Sequence, residues 1–268
     1  KARIIRRPYY IRNEGTFVYG RGFSTGPGLI IEVFGENAKL EIGRNMMAYH
    51  NLHIGALESV IIGDASGGQS VDPQTGWENI IIGWNSGYNL TSGNSNVLIG
   101  VGSGYSLNND ENNIMIGYQS GYYHTGGPNT FVGRYAGRGT TGTASSLHNA
   151  AFGYNALQAI NQGDYNVAVG SYAADALTSG IDNTAVGYSS LGSTTTGQYN
   201  VAVGSSCLPA NTTGGTNTAM GVNALNYTTT TGGSTAVGYA ALKGAASQTG
   251  ENNTGLGSYA GQLVTNGS

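Results

Sequence analysis

A short apolar run that closes on glycine recurs along this chain, and its spacing limits what the chain can fold into. The glycines are Gly63, Gly83, Gly100, Gly117, Gly133, Gly153, Gly170, Gly187, Gly204, Gly221, Gly238 and Gly257, separated by 20, 17, 17, 16, 20, 17, 17, 17, 17, 17 and 19 residues. A unit of seventeen residues cannot bury its own apolar side, so successive copies must stack on one another as the coils of a solenoid. Four residues before the glycine, ten of the twelve copies carry asparagine: Asn79, Asn96, Asn113, Asn129, Asn149, Asn166, Asn183, Asn200, Asn217 and Asn253. Three residues after the glycine comes Ala or Ser in nearly every copy, followed by Gly or Leu.

Composition alone would suggest a low-complexity disordered chain, with 46 glycines and only 9% charged residues in 268. The strict period and the regular aliphatic residues oppose that reading. Val, Ile, Thr and Tyr in place of strong helix formers predict short strands separated by turns. The net charge of −3 gives no basis for nucleic-acid binding, and no apolar stretch reaches the length of a membrane-spanning helix. Neither nucleic acid nor membrane insertion is therefore expected. The basic residues are unevenly placed: Lys1, Arg3, Arg6, Arg7 and Arg12 crowd the start, whereas only Arg134, Arg138 and Lys243 follow Arg44. Residues 1–14 read as a basic arm that docks onto a preceding fibre or baseplate component. Cys207 occupies a slot held by Ala or Ser in other copies and reads as an inert core residue.

Residues 15–64 differ from the rest. Leu40-Glu-Ile42-Gly43, His53-Ile54-Gly55 and Val60-Ile-Ile62-Gly63 follow a hexapeptide-like spacing, which predicts an irregular parallel β-solenoid. Residues 65–78 read as an inserted loop, 79–261 as the regular array and 262–268 as a polar tail. Within a regular copy, strand alternation puts the residues one and three before the glycine on one face. Stacking aligns them into a stripe that includes Val169, Val186, Val203, Met220 and Val237, the expected trimer axis. The residue between them is Ala or Gly from Ala151 onward and must pack closely against the opposite limb of a thin coil. In the first four regular copies it is Ile81, Leu98, Met115 or Phe131, which predicts a wider coil there. The limb after the glycine fits a short strand or one helical turn. The asparagines should form a ladder along the axis, a structural role. Trp84, Tyr118, Tyr154, Tyr188 and Tyr239 directly follow the glycine. Pointing outward, they would contact host glycan; pointing inward, they would cap the coil core and stack on each other.

The copies Asn183-Thr-Ala-Val-Gly-Tyr-Ser-Ser-Leu191 and Asn217-Thr-Ala-Met-Gly-Val-Asn-Ala-Leu225 resemble a repeat family of bacteriophage tail fibres and bacterial trimeric surface proteins. They are also similar to the Asn-Ser-Val-Ala-Ile-Gly repeats in the heads of trimeric autotransporter adhesins, whose units are a few residues shorter. The resemblance covers residues 79–261. It implies an all-β fold, a trimeric left-handed parallel β-roll with coils of about 17 residues, and a homotrimeric, virion-borne tail fibre that attaches to host surface polysaccharide. A bacterial cell-surface, extracellular adhesin and a phage tailspike that depolymerises polysaccharide are the alternatives.

Chemistry is sparsely represented. Hexapeptide solenoids include acyltransferases that use a histidine, and His50 and His53 lie in the matching stretch, but the rungs are too few to build that site. His124 and His148 read as isolated turn residues without metal-ligand spacing. Polysaccharide cleavage needs two carboxyls within reach of one glycosidic bond, and acids are scarce: Asp110-Glu111 and Asp64/Asp72 are the candidates for a pair across chains. An ice-binding threonine row at Thr184, Thr218, Thr235 and Thr254 is broken by Val167 and Val201. The reading is a chain with no catalytic residue, no metal and no cofactor, and not an enzyme.

Overall fold

A computed structural model describes the backbone of eight strands between Tyr9 and Ile62, and residues 79–140, 144–230, 232–244 and 250–261 in full. The proposed loop at 65–78, the tail at 262–268 and residues 1–8 of the proposed arm lie outside the described residues. The fold is all-β and every strand pair is parallel. Among the described residues there is no helix.

The first segment is a three-sided coil. Its strands are β1 (Tyr9–Asn13), β2 (Thr16–Tyr19), β3 (Ser24–Thr25), β4 (Leu29–Val33), β5 (Lys39–Ile42), β6 (Met47–Ala48), β7 (His53–Ala56) and β8 (Ser59–Ile62). They sort into three sheets, β1-β4-β7, β2-β5-β8 and β3-β6, so the chain visits three faces in turn and returns to the first. Register partners such as Tyr9 with Leu29 and Thr16 with Lys39 lie 20 and 23 residues apart. The first strand begins inside the stretch read as a basic arm, and Arg12 pairs with Glu32 in the sheet register.

The regular array is one eleven-stranded sheet of three-residue strands, from β9 (Ile80–Ile82) to β19 (Thr254–Leu256), stacked in sequence order. Register is conserved between coils, with Val167 opposite Thr184 and Val169 opposite Val186. Period-two alternation turns the central residue of each strand inward: Ala168, Ala185, Ala202, Ala219 and Ala236 are fully buried. The flanking residues face outward and remain partly or wholly exposed. The strand ends on the repeat glycine, and only glycine fits there. Gly187 has φ +130°, and a Cβ on it would sit 2.5 Å from the Gly204 carbonyl oxygen of the next coil.

The limb after the glycine is neither a strand nor a helical turn. Two successive turns close it, with Ala173 N–H donating to Gly170 O (3.3 Å) and Leu177 N–H to Ala174 O (3.1 Å). Residues two and four past the glycine take left-handed backbone angles, as Ser189 (φ 51°) and Leu191 (φ 52°) do. The left-handed residues also donate to adjacent coils: Tyr172 N–H reaches Tyr154 O (2.8 Å) and Ala174 N–H reaches Ser190 O (2.8 Å). Hydrogen bonds therefore run along the axis on this limb as well as through the sheet.

The expected widening of the first coils is replaced by a size exchange across the core. Where the inward strand residue is Ile81, Leu98, Met115 or Phe131, the residue four past the glycine is Gly87, Gly104, Gly121 or Gly137. A Cβ on Gly87 would lie 2.9 Å from Leu98 Cδ1 and 3.2 Å from Ile81 Cδ1, and one on Gly137 would overlap the Phe131 ring. In later coils the strand residue shrinks to Ala and Leu157, Leu191, Leu208, Leu225 and Leu242 fill the same volume from the other limb. Cys207 is buried beside them, its thiol donating to Ala219 O (3.1 Å) and held protonated by burial, which pushes it up to about 12.

The asparagines form the ladder. Asn183 Oδ1 accepts the Asn200 backbone N–H and the Asn200 side-chain amide, each at 3.0 Å, while Asn183 Nδ2 donates to Gly197 O (2.9 Å) in the turn that ends its own coil. The backbone N–H to Oδ1 step recurs from Asn96 on Asn79 to Asn217 on Asn200. One rung differs: Ser234 takes the asparagine position, donates its N–H to Asn217 Oδ1 (3.1 Å) and accepts from Asn253 N (3.3 Å) through its hydroxyl. Asn183→Ala leaves the Asn200 N–H and the Gly197 carbonyl without partners, each worth about 1–3 kcal/mol when buried. Urea melts should show Asn183→Ser, which keeps an acceptor as Ser234 does, losing clearly less stability than Asn183→Ala. Equal losses would remove the ladder from the account of stability.

Candidate functional site

The surface that carries chemistry is the outer side of the turn limb. Trp84, Tyr118, Tyr154, Tyr188 and Tyr239 all lie on it, between 38% and 65% exposed. The reading in which these rings cap the coil core is corrected, because Leu side chains fill that core and the rings stand outside it. They do contact one another, through tyrosines that the sequence reading missed. Tyr135, Tyr172 and Tyr259 sit two residues past the glycine, with φ near 60° (61°, 58° and 59°). That left-handed backbone swings each ring onto the same ridge. Tyr118–Tyr135 (5.4 Å), Tyr154–Tyr172 (5.2 Å), Tyr172–Tyr188 (6.1 Å) and Tyr239–Tyr259 (5.2 Å) all meet edge to face. Such a ridge leaves ring faces and hydroxyls open to solvent.

A second column runs beside it. Tyr88, Tyr105 and Tyr122 each close a Ser-Gly-Tyr triplet five residues past the repeat glycine, and that triplet was the available signal in the sequence. Their rings stack in parallel at 4.9 and 4.6 Å, the rise of one coil. Next to the column lies a cavity of about 650 Å³ lined by Tyr88, Asn89, Thr91, Asn108, Asn109 and Asp110, among others. Thr91 Oγ1 donates to Asn108 Oδ1 (2.6 Å), and Asp110 Oδ2 accepts the Asn108 N–H (3.1 Å). Partial burial raises the Asp110 carboxyl above its usual range, against the lowering by those backbone N–H groups. Amides, a hydroxyl and one carboxyl beside an aromatic column match the hydrogen-bonding needs of a polyhydroxylated ligand. Glu111 is engaged instead by Asn94 Nδ2 (2.7 Å). Asp64 and Asp72 lie outside the described residues, as do the side chains of His50 and His53.

Neither histidine of the array is an isolated turn residue. His148 stacks on Tyr165 (5.0 Å, 6° between planes). His124 is fully buried against the edge of Phe131, with Nε2 3.0 Å from Ser146 O and Nδ1 without a hydrogen-bond partner. It takes the inward slot held by Leu90, Leu107, Ile160 and Leu177 in other coils. Among the described residues, no three His, Cys, Asp or Glu side chains gather as a metal would require.

No family model and no solved structure matches the chain. Over 61 residues, 23% of its length, the chain is 41% identical to an Escherichia coli (strain K12) protein that carries the name of a lipopolysaccharide biosynthesis O-acetyl transferase, WbbJ. The match spans 31% of that protein. This likeness corrects the expectation that the chain is not an enzyme: a partial relative is an O-acetyl transferase by name, and the parallel β-solenoid is the fold of hexapeptide-repeat acetyltransferases.

Burial lowers the His124 imidazole from 6.5 to about 4. The folded chain then binds fewer protons than the unfolded one between those values, so His124 destabilises the fold as pH falls through that window. Thermal melts from pH 7 to pH 4 should show a fall that flattens in His124→Leu, by at most about 1.4 kcal/mol per pH unit. An unchanged slope would mean that the imidazole is protonated in the fold.

Proposed function

We propose that this chain is a structural and binding segment of a homotrimeric fibre, a bacteriophage tail fibre that attaches to host surface polysaccharide. One observation carries the reading. The outward face of the eleven-stranded sheet is largely apolar and is not covered by any of the described residues, with Ile80 (51%), Phe152 (41%), Val169 (39%), Met220 (44%) and Leu256 (78%) exposed on it. Parallel sheets ordinarily have both faces covered, and soluble monomers seldom leave so extended an apolar patch bare. Two further copies set around a common axis would cover the stripe with the same stripe, Val169, Val186, Val203, Met220 and Val237 meeting their equivalents. The tyrosine ridge and the asparagine-lined cavity belong to the other limb, where an assembled fibre would still present them to a glycan. The resemblance of residues 79–261 to tail-fibre and adhesin-head repeats points the same way, and a bacterial cell-surface adhesin would use the same surfaces.

Light scattering should give three times the 27.5 kDa chain mass. Val186→Asp would place a carboxylate on the axis in each chain, at a cost of several kcal/mol apiece. Trimer and cooperative melting should then be lost together. A stable monomer of the wild-type chain would overturn the reading.

A second reading rests on the partial relative and on the three-sided solenoid of β1 to β8: transfer of an acetyl group to a saccharide hydroxyl. His53, the first residue of β7, and His50 are its candidate bases. Incubation with acetyl coenzyme A and a saccharide acceptor should release free thiol at a rate that falls in His53→Ala or His50→Ala. No release above the protein-free rate would dismiss acetyl transfer.

A further inference from the structure

Arg134 and Arg138 stand in the tyrosine ridge without an acidic partner among the described residues. They are two of only three basic residues after Arg44. The Arg134 guanidinium carbon lies 4.8 Å from the Tyr135 ring centre, 5.4 Å from that of Tyr118 and 5.9 Å from that of Tyr154. That of Arg138 lies 5.1 Å from Tyr123 and 5.3 Å from Tyr135, so Tyr135 is shared between the two cations. The protein takes little of their hydrogen-bonding capacity. Arg134 Nη2 donates to the Tyr135 hydroxyl (3.3 Å) and Arg138 Nε donates to Gln119 Oε1 (3.2 Å). A guanidinium has five N–H groups, which leaves most of each fork for a ligand. Arg138 also lines a second cavity, of about 470 Å³, with Tyr123, Thr140 and Gln158 and without any carboxylate. That volume suits a small ligand.

The geometry points to a site for a carboxylate-bearing sugar of an acidic polysaccharide, forked on Arg138 and Arg134. Aromatic contacts hold both guanidiniums in place, so little orientation is lost on binding. A planar fork matches a carboxylate with two parallel charge-assisted hydrogen bonds. Thr140 and Gln158 supply hydroxyl and amide groups at the same cavity for the sugar hydroxyls, and the exposed tyrosine faces suit the apolar face of the ring. A neutral glycan would leave two positive charges unanswered, whereas a polyuronate presents a carboxylate on every residue. The inference rests on the attachment reading for the polymer's source, but its chemistry is set by these side chains.

Affinity electrophoresis and calorimetry of the full chain against polygalacturonate, its methyl ester and polyphosphate test it. Polygalacturonate should bind, the ester at least about tenfold more weakly, because the ester cannot accept the charged fork. Arg134→Gln/Arg138→Gln should lose a similar factor with unchanged melting temperature and scattering mass, and Lys243→Gln should keep wild-type affinity. Arg134→Lys/Arg138→Lys keeps the charge and removes the fork, and should recover only part of the loss. Equal affinity for the ester or for polyphosphate, wild-type affinity in either double variant, or no binding of polygalacturonate would each overturn the site. A trimer that ignores polygalacturonate would overturn the site alone, and a monomer that binds it would overturn the fibre alone.

Discussion

Each regular coil turns its corner on a glycine pressed against the glycine of the next coil, and the rest of the array follows from that contact. A Cβ on Gly170 would lie 2.5 Å from the Gly187 carbonyl oxygen, and one on Gly187 would lie equally close to that of Gly204. The column therefore admits no side chain, and its φ near +130° excludes one a second time. With the corner fixed, the strand before it must run parallel to its neighbours in constant register. The limb after it must then fold back within a few residues. Left-handed residues at alternate positions achieve that return while keeping their N–H groups directed at the adjacent coils, so this limb, like the sheet, is tied to its neighbours along the axis.

Across so thin a coil, the inward strand residue and the residue four past the glycine hold at most one large side chain between them. Ile81 faces Gly87 and Phe131 faces Gly137, whereas Ala185 is paired in the repeat with Leu191. In most coils the volume is kept while its source moves from one limb to the other, as close packing demands; the coil of Ala168, with Ala174 four past its glycine, is the exception. Polar closure falls to the asparagines, whose side chain has both the acceptor for the next coil's N–H and the donor for its own coil's last turn. Serine can replace the acceptor at one rung, as Ser234 does, and a run of such replacements would leave turn carbonyls buried without donors.

Because the interior is filled by so few atoms, everything distinctive is displaced to the outside. One face of the sheet carries an apolar stripe suited to self-association. The opposite limb carries aromatic rings, amides and two guanidiniums that have no acidic partner among the described residues. The two surfaces do not compete, since a coil two limbs thick presents them in different directions. The segment before the array has a different cross-section, with three sheets of two or three strands in place of one continuous sheet.

Sequence by itself determined the period, the parallel stacking, the inward Ala column and the asparagine ladder, because each is a local rule repeated until chance is excluded. It also placed the five glycine-flanking aromatic residues on one line. It left the conformation of the turn limb open, since neither helical nor strand periodicity describes a backbone whose left-handed residues include Leu191, Tyr172 and Ser189. It missed Tyr135, Tyr172 and Tyr259, which join the ridge only through those angles, and it misjudged coil width because the compensating glycines belong to the other limb. His124 looked like a turn residue and proved to be core, for an inward slot defined by coil geometry has no signature in a lone histidine. Only the tertiary structure set Arg134 and Arg138 about the shared Tyr135 ring, because which side chains meet across coils depends on the rise and twist of the stack rather than on their spacing in the chain.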